Sequence, residues 1–345
     1  MNGRQRIQTA LKGEWPDSTP VMLHNFMHAA RESGVTMGQY RRDPAVIARC
    51  FIESIEKYEY DGIVVDIDTA TLAGAVGVPV LFPEEEPAIF HGRRLDSLAQ
   101  ARDLDPPDVV RYPGIQVWLE AVRLLSKYCR DEIYLRGNCD QAPFSLAASL
   151  RGSADWMMEI TDPANREDAD CLLEYCTAAV TQFIRLMAST GAHMVSNGDS
   201  PAGPSVISPA LYRQFALPCE RRIVQTAHAL DRPYMLHICG KTEPILDAMV
   251  STGADALEID YKTDMRRARD ILAGRATFVG NLDPSDVVAL GSVRQVEEKT
   301  RELLGVFAGT PRFILNAGCA IPATAPAENI QAMIRVARNS PQEVS

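Results

Sequence analysis

The feature that most constrains this chain is an alternation. Eight short runs rich in Val, Ile, Leu, Met or Phe fall at 20–24, 62–66, 132–137, 192–197, 234–239, 254–260, 276–281 and 312–316, and most of them end in a polar residue. Longer stretches with helical spacing separate them. In 162–189, Asp162-Pro163 supplies an N-cap and a first-turn proline, and Leu173, Cys176, Val180, Phe183, Ile184 and Met187 recur three or four residues apart before Gly191. The stretch 293–307 repeats this with Val293, Val296, Leu303, Leu304 and Phe307. A strand needs a crossover helix to reach a parallel neighbour, so the pattern predicts an α/β protein whose parallel sheet closes into a (β/α)8 TIM barrel. An open doubly wound sheet is the competing architecture. Residues 1–19 then form an N-terminal helical segment across the barrel floor.

No internal repeat, low-complexity tract or Gly/Ser linker divides the 345 residues, so 1–345 is expected to be one domain. The region 82–113 is the loosest, holding the acidic run Glu84 to Glu86 and the proline-bearing DLDPPDVVRYPG, and is expected to be an irregular excursion. Lys and Arg total 35 against 45 Asp and Glu, a net charge of -10, which disfavours a general nucleic-acid binder because phosphate contacts need concentrated positive charge. No apolar run approaches the roughly 18 residues that cross a bilayer, and MNGRQRIQTALKGEW lacks the apolar stretch of a signal peptide. A cytoplasmic protein with no membrane partner is expected. Its eight cysteines, spread thinly along the chain, read as reduced thiols.

In a barrel of this kind chemistry gathers where the strands end, because the active site is built from the loops there. Those ends carry His24, Asp66 and Asp68, Asn138 to Asp140, Asn197 and Asp199, His237 and Cys239, Glu258 and Asp260, Asn281, Asn316 and Cys319. Polar residues also cap strands for purely structural reasons. The sharpest group is His237-Ile238-Cys239: residues two apart on a strand point to the same side, so imidazole and thiol can converge inside the barrel mouth. Cys319 follows the eighth strand and could reach the same point. Two thiolates and an imidazole are a common zinc set, and three protein ligands with an open fourth position describe a catalytic site. Glu258 and Asp260 are candidates for a fourth ligand or for carboxylates behind the ligands. The competing reading is three residues with no relation to one another. Asp66 and Asp68 could form a paired-carboxylate acid/base device or be caps.

The segments LHICGKTEPILDAMVSTGADALEIDYK, FVGNLDP and FILNAGCAIPATAPAENI, with APFSLAASLRG and RQRIQTALKGEWPDSTPV, resemble the uroporphyrinogen decarboxylase superfamily over nearly the whole chain. Within it the resemblance is to the methylcobamide:coenzyme M methyltransferase branch. Its most specific element is the H-x-C plus distant C signature, carried here by His237, Cys239 and Cys319. The resemblance implies that these residues bind Zn2+, which holds a thiol as thiolate and presents it to a methyl group on a corrinoid such as methylcobalamin, free or on a carrier protein. It further implies Asp199 at the catalytic centre, and His24, Asp66, Asn138, Asn197, Asn281 and Asn316 around the acceptor or the corrinoid edge.

The decarboxylase branch fits less well. Its members carry an Arg-Gln-Ala-Gly-Arg type motif after the first strand, where this chain has HNFMHAARESG. Asp66 does stand where decarboxylases keep an essential aspartate. Three alternatives stay open: a corrinoid-dependent O- or S-demethylase using zinc as Lewis acid, a tetrapyrrole decarboxylase, and a non-enzymatic tetrapyrrole or corrinoid carrier. The expected partners are a corrinoid or its carrier protein and a small thiol or methylated molecule; a homodimer is compatible with the sequence.

Overall fold

The computed structural model describes residues 1–339. All eight expected strands are present: β1 (Met22–Leu23), β2 (Gly62–Val65), β3 (Tyr134–Gln141), β4 (Met194–Gly198), β5 (Tyr234–Ile238), β6 (Ala256–Ile259), β7 (Thr277–Leu282) and β8 (Phe313–Ala317). They pair in chain order, every neighbouring pair parallel. The ring closes through a parallel bridge between Val21 and Leu315, where the Leu315 amide donates to the Pro20 carbonyl at 2.8 Å. This is the (β/α)8 barrel that the alternation predicts, and the open sheet is excluded.

The helices obey the local chemistry of their sequences. Asp162 caps a 3-10 turn, Pro163–Asn165, which runs into helix Arg166–Ala188; Leu173, Cys176, Val180, Phe183, Ile184 and Met187 form its buried face. Ser292 caps helix Val293–Phe307 by accepting from the Gln295 amide, and Val296, Leu303, Leu304 and Phe307 turn inward from it.

The N-terminal helix, Gly3–Lys12, begins at a capping box between Asn2 and Gln5. Its Ile7 and Ala10 pack against Met22, Val64, Tyr134, Met194, Met235, Ala256, Val279 and Ile314, one side chain from each strand, and so close the barrel floor as expected. In the excursion 82–113, Ile89–Phe90 pairs antiparallel with Val80–Leu81 and residues Leu98–Asp103 form a 3-10 helix; neither joins the barrel sheet. Among the described residues, no helix is long and apolar enough to cross a membrane.

Candidate metal centre at the barrel mouth

Side chains two apart on a strand share a face. Two residues beyond the apolar floor layer, the eight strands carry His24, Asp66, Arg136, Ser196, His237, Glu258, Asn281 and Asn316, all polar. One step along the strands therefore turns the barrel interior from hydrocarbon to hydrogen-bonding groups. Most of these are tied to one another. Arg136 donates to Ser196 Oγ at 2.7 Å and to Glu258 Oε2 at 2.8 Å, and Asn316 donates to Glu258 Oε1 at 2.7 Å. His24 Nε2 lies 2.8 Å from Asp66 Oδ2. Burial would push the Glu258 carboxyl up, but Arg136, His237 and His24 hold it at about 2.

Above this ring, His237 Nε2 lies 3.0 Å from Cys239 Sγ, Cys239 Sγ lies 3.8 Å from Cys319 Sγ, and the three donor atoms all fall within 4.8 Å of one another. His237 Nδ1 is 3.0 Å from the Glu258 carbonyl oxygen; donation there leaves Nε2 facing the thiols. Two glycines set the cysteines. Gly240, with φ +88, turns the chain after Cys239 and donates its amide to Asp260 Oδ2 at 2.8 Å. At Gly318 a Cβ would meet the Tyr261 amide nitrogen at 2.5 Å, so only glycine lets the loop bearing Cys319 approach. The three groups share protons unequally. The hydrogen bond from Cys319, with His237 alongside, holds the Cys239 thiol down at about 3. Cys319, donating to that thiolate and buried, is held well above the ordinary thiol range. Burial opposes charge on His237, yet the Cys239 thiolate and Glu258 raise it to about 9.

The cluster opens into a cavity of about 250 Å³. Of the other residues expected at the site, His24, Asp66, Asn138 and Glu258 line it. Asn197, Asn281, Asn316, Asp199 and Asp260 do not, and each is engaged in the framework. Asn197 donates to the Cys139 carbonyl at 2.6 Å, and Asn281 to the Asp260 carbonyl at 3.2 Å. Asp199 Oδ1 accepts from the Ser145 amide at 2.8 Å, and burial raises its pKa. Glu258 and Asp260 stand outside the three-donor group: both Glu258 oxygens are taken by Arg136 and Asn316, and both Asp260 oxygens by the Gly240 and Lys262 amides. In this arrangement both carboxylates serve to hold the residues around the three donors. Sequence reasoning missed Arg136, which lines the cavity; the available signal was a lone arginine inside an otherwise apolar run.

Fold and site together define a (β/α)8 barrel protein with one imidazole and two thiols, a group that could hold a metal ion, converging at its C-terminal mouth. The uroporphyrinogen decarboxylase (URO-D) family model matches residues 2–340, and the chain belongs to that family. It is 31% identical over 221 residues to the methylcobamide:CoM methyltransferase MtbA of Methanosarcina acetivorans, a match that covers 64% of this chain and spans 62% of that relative's length. It is 26% identical over 345 residues to the uroporphyrinogen decarboxylase of Trichlorobacter lovleyi, covering 95% of this chain and 96% of the relative. A solved methyltransferase structure from Methanosarcina mazei superposes with a TM-score of 0.88 at 22% identity, over 97% of this chain and 98% of that one, and shows the same fold.

Proposed function

We propose that this chain is a zinc-dependent methyltransferase that moves a methyl group between a corrinoid, free or carried on a protein, and a small thiol. The observation that carries this reading is the convergence of His237, Cys239 and Cys319 within 4.8 Å at an open cavity. One imidazole and two thiolates suit zinc, and three protein donors leave a position for a substrate. Bound there, zinc would hold a thiol as its thiolate at neutral pH, where a free thiol is mostly protonated. The chain's own part is orientation. The Glu258 carbonyl fixes the His237 ring, Arg136 and Asn316 fix Glu258, and the Asp260 carboxylate fixes the turn after Cys239. A corrin macrocycle is too large for a cavity of about 250 Å³, so the thiol occupies the cavity and the corrinoid meets it at the mouth.

A decarboxylase reading is disfavoured by the wall of the same cavity. Asp66, Asp68, Asp140 and Glu258 face it against one arginine, Arg136, which already pairs with Glu258. A polyanionic tetrapyrrole would find no unpaired arginine on that wall to hold its carboxylates. The test is elemental analysis of the purified protein together with the visible spectrum of methylcobalamin mixed with protein and a panel of thiols. Zinc near one equivalent and thiol-dependent loss of the methylcobalamin spectrum are expected. Absence of both refutes the reading.

A further inference from the structure

A second hollow, of about 410 Å³, lies at the opposite end of the barrel from the three-donor group, between the N-terminal helix and the segments that lead into β3, β4 and β5. Its charge is unlike that of the rest of the molecule. Arg4, Lys12 and Arg232 line it against a single carboxylate, Asp231, in a chain whose net charge is -10. These cations are within reach of solvent: Lys12 is exposed, Arg232 is half-buried and the Arg4 side chain is 28% exposed. Nor are they neutralised. Arg4 gives one nitrogen to Asp131, itself 86% exposed, while Lys12 and Arg232 form no ion pair among the described residues. The Arg232 side chain donates to main chain, to the Asp231 carbonyl at 3.1 Å and the Ala188 carbonyl at 3.3 Å. A fourth donor lines the same hollow. His193 accepts from the Leu135 amide through Nδ1 at 2.9 Å, which puts the proton of its neutral ring on Nε2. Burial, with Arg4 and Arg232 nearby, lowers this imidazole to about 4, so both arginines act on one ring and the ring is an uncharged donor at neutral pH. Neighbouring cations without counter-charge repel one another, and an anion between them removes that cost.

We propose that this hollow is an anion site for a phosphomonoester, whose phosphate is held by Arg4, Lys12, Arg232 and His193 and whose organic body rests on Leu11 and Pro233. A phosphate group offers three acceptor oxygens and nearly two charges, which suits N–H donors arriving from three chain segments better than one carboxylate would. Cavities of about 300–1,000 Å³ take small molecules whole, so there is room for a body beside the charged head. No bond is made or broken there, and the site does not depend on the methyl-transfer reading. Because it joins the N-terminal helix to the segments leading into three strands, its occupancy braces the floor.

Calorimetry and thermal unfolding of the full chain at fixed ionic strength, with AMP, inorganic phosphate and adenosine as probes, test the site. AMP should bind saturably at millimolar concentration or below and raise the unfolding temperature, phosphate should bind more weakly, and adenosine should not bind. Arg232→Gln should weaken AMP by about tenfold or more, the scale of a charge-assisted hydrogen bond. Lys12→Gln should weaken it severalfold; this side chain is exposed, so the variant keeps the fold even if Arg232→Gln does not. Cys239→Ala should leave AMP binding unchanged, which separates the hollow from the mouth. The site is overturned if neither AMP nor phosphate binds saturably, if adenosine binds as tightly as AMP, if Lys12→Gln leaves AMP binding unchanged, or if Cys239→Ala abolishes it.

Discussion

Replacing Arg136 by Met should be among the most damaging single changes in the barrel. Arg136 and Glu258 are 2% and 1% exposed, and their charged atoms meet at 2.8 Å. Removing the guanidinium strips Ser196 Oγ of its donor and leaves the Glu258 carboxylate with the Asn316 hydrogen bond and His237, whose Nδ1 lies 3.8 Å away. Breaking a buried pair from one side costs about 3–5 kcal/mol, a large part of the roughly 5–15 kcal/mol that holds a typical protein folded. Replacing both partners, Arg136→Met with Glu258→Leu, removes the stranded charge and should recover most of that loss. Urea unfolding followed by circular dichroism reads both. The pH dependence has a definite sign. Glu258 is depressed from 4.5 to about 2, so its contribution is complete above about pH 4.5 and is lost as pH falls towards 2. The Arg136→Met protein should show a narrower acid-sensitive window, since His237 and His24 still lower Glu258. A double variant no more stable than the single one would refute the account of a stranded charge.

Cys239→Ala or Cys319→Ala should drop bound zinc well below one equivalent and abolish methyl transfer, whereas Asp66→Ala should reduce activity far less; metal analysis and the methylcobalamin assay check both, and a dead Asp66→Ala beside an active Cys239→Ala would place the chemistry elsewhere. Zinc must displace protons from His237, raised to about 9, and from Cys319, so affinity should climb steeply between pH 6 and 9, by up to about a hundredfold per pH unit, in a competition titration; a flat profile would contradict the ligand set. Ile7→Ala should cost about 2–5 kcal/mol in chemical unfolding while leaving zinc content unchanged, since Ile7 fills the floor and touches nothing at the mouth.

The barrel was legible because its evidence is periodic: eight apolar runs separated by helical spacing leave few other ways to bury so much hydrocarbon. The centre was legible for the opposite reason. His237, Cys239 and Cys319 are chemically rare, and strand geometry alone brings the first two together. The asparagines were harder to read because an amide at a strand end serves a loop carbonyl as readily as a substrate; Asn197 and Asn281 donate to loop carbonyls, while Asn138 lines the cavity. Arg136 was illegible because a single arginine in a run reads as exposed, and only the closed ring shows that Glu258, 122 residues away, lies across from it.

The floor formed by Ile7, Ala10 and eight side chains from the strands closes the end of the barrel away from the site. If both partners of the proposed exchange between a small thiol and a bulky corrinoid approach through the mouth, the geometry dictates sequence. The thiol has to enter first, because a corrinoid seated at the mouth bars the way behind it. The methylated product can depart only after the spent corrinoid has moved off. Turnover should therefore show compulsory-order kinetics, with corrinoid in excess slowing the reaction by covering enzyme that holds no thiol.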